Sequence, residues 1–182
     1  MTTKAPGVFA RLGASSRWLV SIVATVASTY ALDLVATAAG VLLVGTGLFT
    51  GVDLRVLLVV LVLSYLAWAA GLRTGLAGNA QLLERTGTST NVVSKAAFDL
   101  ARRRSPRVRR LAGSAGYVLT EVAKELPYYV GAFGASGLSE AVSTSDAVVF
   151  LAGANLGAAA YEMALGRGTL ALLRPRDADR YR

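Results

Sequence analysis

The chain has 182 residues, of which 54% are hydrophobic and only 16% are charged, and its formal net charge at pH 7 is +8. A soluble domain carries about 25% charged residues, so the composition favours a membrane protein, and the length favours a single domain over residues 1–182. The absence of cysteine and histidine excludes disulfides, thiolate chemistry and histidine-dependent catalysis or metal binding.

The first apolar stretch covers residues 18–49 and contains a single charge, Asp33. As one helix it would be about 48 Å long, which is too long for a bilayer unless the helix is strongly tilted. We therefore expect an interfacial part over about 8–26 and a span over about 27–49. Basic residues precede the stretch as in a secretory signal, but its apolar character continues so far that we interpret it as a retained anchor.

The most apolar stretch, residues 56–72, predicts a second span over about 54–72. Its length as a helix, about 25 Å, is close to the hydrocarbon thickness of a bilayer, and Trp68 near its end suits the headgroup boundary. The alternative is the central helix of a soluble all-α domain, but a chain this short offers little core to bury it. The short connection 50–53 makes the first two spans an antiparallel hairpin.

Residues 73–111 form the one long polar segment, which we place in the cytoplasm. The cluster 88–91 (TSTN) is typical of a loop that ends in a helix N-cap. Apolar residues such as Val93 and Leu100 then recur at helical spacing and predict an amphipathic helix, with Lys95 off its apolar face.

The third predicted span covers about 112–136. Its apolar residues follow one helical stripe from Leu111 to Phe133, and Pro127 should kink the helix. Three charges within five residues, Glu121, Lys124 and Glu125, make it a poor lone inserter. A span packed against the others is favoured, and an amphipathic helix on the cytoplasmic surface is the alternative.

The fourth predicted span covers about 147–166 and follows a loop over 136–146. Gly153 and Gly157 stand in a G-x-x-x-G frame, which indicates close helix packing within the chain or, as a sharper hypothesis, a homodimer seam. Gly166 and Gly168 should end this span. A polar tail follows, with Arg174, Arg176, Arg180 and Arg182.

The distribution of basic residues predicts the topology. The N-terminus, the polar segment and the tail hold nearly all lysines and arginines, while the connections 50–53 and 136–146 hold none. The positive-inside rule then places both termini in the cytoplasm and requires an even number of spans. The predicted fold is an all-α, multi-pass bundle in the cell membrane, with four transmembrane helices as two hairpins and one amphipathic cytoplasmic helix.

Polar residues within the predicted spans form the first candidate site. In this topology they lie at similar depths in the cytoplasmic half of the bilayer. Ionisable groups there usually pair or line a pathway, so we weigh solvated interfacial residues, a structural ion-pair cluster and a substrate or proton pathway. This polar cluster comprises Asp33, Glu121, Lys124, Glu125, Asn155 and Glu162, and Glu121 can pair with Lys124 at i and i+3.

A run of arginines forms the second candidate site. It surrounds Pro106, where the amphipathic helix should already have ended. The run can serve only to set the orientation of the chain, or it can bind anionic lipid headgroups or a protein partner. The sequence does not favour nucleic-acid binding, because no recognition fold or aromatic interleaving accompanies the charge. The arginine run comprises Arg102, Arg103, Arg104, Arg107, Arg109 and Arg110.

The leading functional hypothesis is a non-enzymatic assembly, scaffold or regulatory component of the membrane, which binds the bilayer and either a membrane partner or a second copy. The alternative is a small transporter, channel or lipid translocator that uses the polar cluster. A lipid-modifying enzyme that acts through carboxylates and a hard cation is a weaker third class. We predict no catalytic residue, no metal and no cofactor.

Overall fold

The computed structural model describes residues 13–138 and 142–173, and in these ranges the chain is helical without strands. Three of its helices are long and apolar enough to cross a membrane, and these are α1, α2 and α5. The five α-helices are α1 (Ala14–Gly45), α2 (Leu54–Thr86), α3 (Val92–Leu100), α4 (Pro106–Leu138) and α5 (Thr144–Leu173), and a 3₁₀ turn (Ala101–Arg103) follows α3.

Helix α5 lies at the centre of the bundle, between α1 and α2, which barely touch one another within the described residues. Small residues make this packing close. A Cβ atom at Gly157 would stand 2.8 Å from both the Ala39 Cβ and the Val35 carbonyl oxygen of α1. On the other side, a Cβ at Gly71 of α2 would stand 2.9 Å from the Cα of Ala159. Gly153 also faces α1, so the G-x-x-x-G frame lies inside the chain.

The long helices alternate in direction. Contacts pair rising numbers of α1 with falling numbers of α5, from Gly40 with Phe150 to Ser28 with Tyr161. Helix α2 runs parallel to α5, and α4 runs antiparallel to both. The described arginines and lysines therefore meet at one end of the bundle, with the exception of Lys124 in the interior of α4, Arg73 in the interior of α2 and Arg55 at its start.

Helix α1 is one continuous helix over residues 14–45 and does not divide near residue 26. The described part of the expected interfacial segment is therefore joined to the span without a break, and residues 8–12 lie outside the described residues. The helix ends before residue 49 because Gly47 adopts a positive φ of 66° and Gly51 one of 75°. This tight turn reverses the chain into α2, which Asp53 caps by accepting a hydrogen bond from the Arg55 amide (2.7 Å).

Helix α2 continues about four turns beyond residue 72, where the predicted span ends. Glycines in this part of the helix, such as Gly71 and Gly78, bring α2 close to α5. The helix ends at Gly87, whose φ of 69° is the left-handed conformation of a glycine C-cap. Trp68, expected at a headgroup boundary, is 3% exposed and packs in the core.

Helix α3 begins as predicted, because the Asn91 side chain accepts a hydrogen bond from the Ser94 amide (3.0 Å). Its orientation differs in part from the prediction. Val93 and Leu100 of the expected apolar face are exposed, while Lys95 and Phe98 are buried. Lys95 pairs with Asp99 one turn later in the same helix, but it also lies over the Trp18 ring of α1, which the periodicity of α3 alone does not indicate.

Helix α4 begins at Pro106, so the predicted end of the preceding helix is confirmed. The helix continues through Pro127 in its interior. Its apolar stripe faces outward, with Leu119 69% and Leu126 60% exposed, whereas Glu121 and Glu125 are 4% and 7% exposed. The middle of the helix therefore buries its carboxylates and exposes its apolar side chains.

Helix α5 extends to Leu173, past the glycines at 166 and 168 that were expected to end it. Gly166 lies against the backbone of Thr74 in α2, where a side chain would not fit. The predicted tail, with its four arginines, lies outside the described residues, as do residues 139–141 of the predicted loop.

We predict that Gly157→Leu destabilises the monomer without dissociating an oligomer. The added side chain would collide with the α1 backbone, and overpacking of this kind costs about 1–3 kcal/mol. Thermal unfolding in mild detergent, followed by circular dichroism, measures the loss, and size-exclusion chromatography measures the oligomeric state. The control is Gly134→Leu, since a Cβ at Gly134 meets nothing within 4 Å. Equal stability of both variants would contradict the packing role of Gly157.

Candidate functional site

The polar cluster lies inside the bundle, between α4 and the helices that face it. Glu162 and Asn155 on α5 are 2% and 1% exposed, and the two glutamates of α4 are similarly buried. Asp33 and Lys124 are half-buried. The buried members are therefore enclosed by protein and are not solvated among lipid headgroups.

Glu121 binds a cation within its own helix and a side-chain amide from the start of α3. The Lys124 Nζ lies 2.9 Å from the Glu121 Oε1, so the predicted i, i+3 pair is confirmed. The Asn91 Nδ2 also donates to this oxygen, at 2.9 Å. Because the same Asn91 caps α3, this hydrogen bond joins the start of α3 to the middle of α4.

Glu162 accepts a hydrogen bond from the Tyr117 hydroxyl of α4 (2.7 Å). Gly75 of α2 makes room for this pair, because a Cβ there would collide with the Glu162 carboxylate and would stand 2.7 Å from the Tyr117 hydroxyl oxygen. Tyr117 and Gly75 were not among the predicted site residues. A glycine inside a long apolar helix was the one available signal, and it does not by itself indicate which residue fills the space.

Asn155 joins three helices at a level farther from the basic end. Its Nδ2 lies 3.1 Å from the Ser64 Oγ of α2 and 3.0 Å from the Tyr129 hydroxyl oxygen of α4. The same hydroxyl lies 3.3 Å from the Asn155 Oδ1. Such polar contacts stabilise helix association where apolar surface gives little preference for one neighbour over another.

Asp33 and Glu125 occupy the side of the cluster next to α1. The Asp33 carboxylate accepts a hydrogen bond from the Tyr128 hydroxyl (3.1 Å). Glu125 forms no hydrogen bond or ion pair with the described residues, although it is buried among the charges of Glu121, Asp33 and Lys124. The cluster thus holds four carboxylates and one lysine, and Glu125 is the member without a direct partner.

A furrow separates α1 from α4 along the cluster. Its inner part, which we define as the part nearer the basic end of the bundle, is a cavity of about 420 Å³. This cavity is lined by Asp33, Lys124 and Thr29, together with Pro127 and Tyr128. Its outer part is an apolar cavity of about 670 Å³ between the ends of α1 and α4 and the start of α5. Pro127 and Tyr128 line both cavities, so the two parts adjoin. The furrow therefore has a polar inner end and an apolar outer end.

The arginine run does not form one patch. Arg102, Arg103, Arg104, Arg107 and Arg110 are exposed, and Arg110 forms an ion pair with Glu84 of α2. Arg109 is half-buried, and its guanidinium carbon lies 4.5 Å from the centroid of the Phe98 ring. Arg102 and Arg109 line a cavity that also includes basic residues of α1, α2 and α3.

Sequence reasoning missed these additional cations, which are Arg17, Arg85 and Lys95. Each is isolated in its own segment, and only the meeting of helix ends brings them to the arginine run. The carboxylates of residues 13–138 and 142–173 do not gather into a group of three or more that could hold a metal ion. The absence of a cofactor stays a prediction.

Comparisons of the chain with protein-family models, with curated protein sequences and with solved structures found no significant match. Functional interpretation therefore depends on the geometry of the chain.

Proposed function

We propose that the chain is a four-span membrane protein in which α4 also crosses the bilayer. Support comes from the two faces of α4, of which the outward face is apolar and the inward face carries Glu121 and Glu125. In water the opposite arrangement is favoured, whereas in lipid an apolar exterior and a polar, bonded interior are favoured. Its charges lower the mean hydropathy of α4 but are shielded by α1, α2 and α5. A helix lying on the cytoplasmic surface would instead turn its charges toward water.

Within this topology, we propose that the protein is a non-enzymatic assembly, scaffold or regulatory component that presents a basic cytoplasmic end. Hydrogen bonds connect this end to the membrane bundle. The Asn79 Nδ2 of α2 donates to the Ser94 Oγ (2.9 Å), and the Ser94 Oγ donates to the Gly113 carbonyl of α4 (2.6 Å). A platform held in this way can present Arg103, Arg104 and Arg107 to an acidic partner in a fixed orientation.

A second candidate function is lipid translocation, and the furrow between α1 and α4 favours it. An amphiphile requires a polar site for its headgroup and an apolar path for its chains. The inner end offers both signs of charge through Asp33 and Lys124, and the outer end is lined mainly by apolar side chains. Because the furrow lies between two helices at the bundle surface, lipid could enter it from the side.

We predict that cysteine labelling will give the pattern expected for four spans. The chain contains no cysteine, so each introduced cysteine is the single reporter. Thr50→Cys and Thr144→Cys should react with an impermeant maleimide from outside intact cells, and Arg103→Cys only after lysis. Labelling of Thr144→Cys only after lysis would place α4 on the cytoplasmic surface and contradict the fourth span.

We predict that a photo-crosslinking residue in place of Arg103 captures one discrete protein in the native membrane. The same residue in place of Leu58, which lies on the exposed apolar face of α2, should capture lipid alone. Mass spectrometry identifies the adducts. The Arg103 adduct should disappear in the Arg104→Glu/Arg107→Glu background, because the partner surface is acidic. Adducts that are the same at both sites would contradict a specific partner at the basic end.

Translocation predicts that purified protein in vesicles accelerates the exchange of a fluorescent phospholipid between leaflets. Gly131→Trp should slow this exchange several-fold, because Gly131 lines the furrow and has open space beside it. Gly134→Trp is the matched control on the same helix, with open space outside the furrow lining. Chemical reduction of the outer-leaflet dye measures the rate. Exchange no faster than in protein-free vesicles would exclude this function.

A further inference from the structure

A cavity of about 840 Å³ lies at the basic end of the bundle, which we call the basic cavity. The start of α1, the end of α2, the second half of α3, the 3₁₀ turn and the start of α4 line it. Its lining includes two carboxylates, Glu84 and Asp99. Five cations also line it, and they are Arg17, Arg85, Lys95, Arg102 and Arg109.

Both carboxylates of the basic cavity are already paired. The Asp99 Oδ2 lies 2.7 Å from the Lys95 Nζ, and Glu84 pairs with Arg110. Since Arg110 lies outside the lining, this second pair neutralises a cavity carboxylate with a cation from elsewhere. The field that remains within the cavity is positive and favours an anion.

Two of the cations are held in place by aromatic rings. The Arg109 guanidinium stacks over Phe98, and the Lys95 Nζ lies 4.9 Å from the centroid of the Trp18 ring. The Arg109 Nε is buried and has no hydrogen-bond partner among the described residues. Buried donors of this kind are rare in folded proteins, so the cavity contains an arginine that is fixed in position and incompletely bonded.

The basic cavity lies at the edge of the apolar surface of the bundle. Trp18 lines the cavity, and the next residue, Leu19, is 62% exposed and begins the exposed apolar surface of α1. Leu100 also lines the cavity and is largely exposed. A soluble anion would gain nothing from these apolar groups, whereas a lipid would place its acyl chains beside them.

We propose that the basic cavity binds the phosphate headgroup of an anionic phospholipid from the cytoplasmic leaflet. Arg102 and Arg109 bind the phosphate oxygens, and the acyl chains leave along α1 past Leu19. This inference deepens the proposed function, because it names the lipid class at the basic end and rests on the cytoplasmic placement of that end.

The test measures lipid binding to the full chain in mild detergent by native mass spectrometry, with phosphatidylglycerol and phosphatidylcholine as probes. We expect a clear preference for phosphatidylglycerol. Arg102→Gln/Arg109→Gln should weaken its binding by about tenfold or more, because each arginine near an anionic headgroup contributes about a severalfold gain in affinity. The matched control, Arg103→Gln/Arg104→Gln, removes the same charge from outside the lining and should change binding by less than about twofold.

An equal loss in both double variants would overturn the proposal, since general surface charge would then explain the binding. Glycerol 1-phosphate that binds as tightly as the lipid would overturn the membrane source and leave a site for a soluble phosphate. If circular dichroism shows that the double variant is unfolded, lipid binding is measured with Arg102→Gln alone. This side chain is exposed, so its replacement should leave the fold intact. Unchanged binding there would also overturn the proposal. None of these measurements depends on the topology or on a protein partner, so failure here is distinct from failure of the proposed function.

Discussion

The bundle depends on one constraint, which is that the charged side chains in the middle of α4 must be enclosed by protein. Burying an unpaired charge costs several kcal/mol, and α4 carries three charges within five residues. Lys124 and Asn91 bind Glu121, while Tyr117 and Tyr128 of α4 bind carboxylates of α5 and α1. With these contacts made, the outward face of α4 is left to apolar residues, and the helix is compatible with lipid despite its composition.

Helix α5 supplies the complementary surface through small residues. In lipid, apolar side chains give a helix little preference for one neighbour over another. Close backbone packing and hydrogen bonds therefore decide which helices meet. Gly153 and Gly157 allow α1 to approach α5 closely, while Gly166 and Gly71 allow α5 to pack against α2. The order of helices in space therefore differs from a pair of separate hairpins. Helix α5, the last of the described helices, separates α1 and α2, which are adjacent in sequence.

Local patterns predicted the local features of this fold. The stop before Pro106 and the N-cap at Asn91 follow from chemistry within a few residues, and the structure has both. The errors came where distant contacts decide. The role of Gly75 was missed because it depends on Glu162, about ninety residues later in the chain. Lys95 was expected outside because Trp18 and the arginines that share its cavity come from other segments. Glu125 was identified from its depth, but no local pattern indicates that it is buried without a direct partner.

The polar cluster and the basic cavity are connected through α3 rather than through the apolar core. Asn91 caps α3 and donates to Glu121, while the same helix presents Lys95 to the cavity. The loop before α3 is fixed from two further directions, because the Ser89 amide donates to Ser21 of α1 and the Ser89 hydroxyl donates to Asn79 of α2. These few polar side chains therefore hold α3 between the basic cavity and the polar cluster, so the position of each site depends on the same short helix.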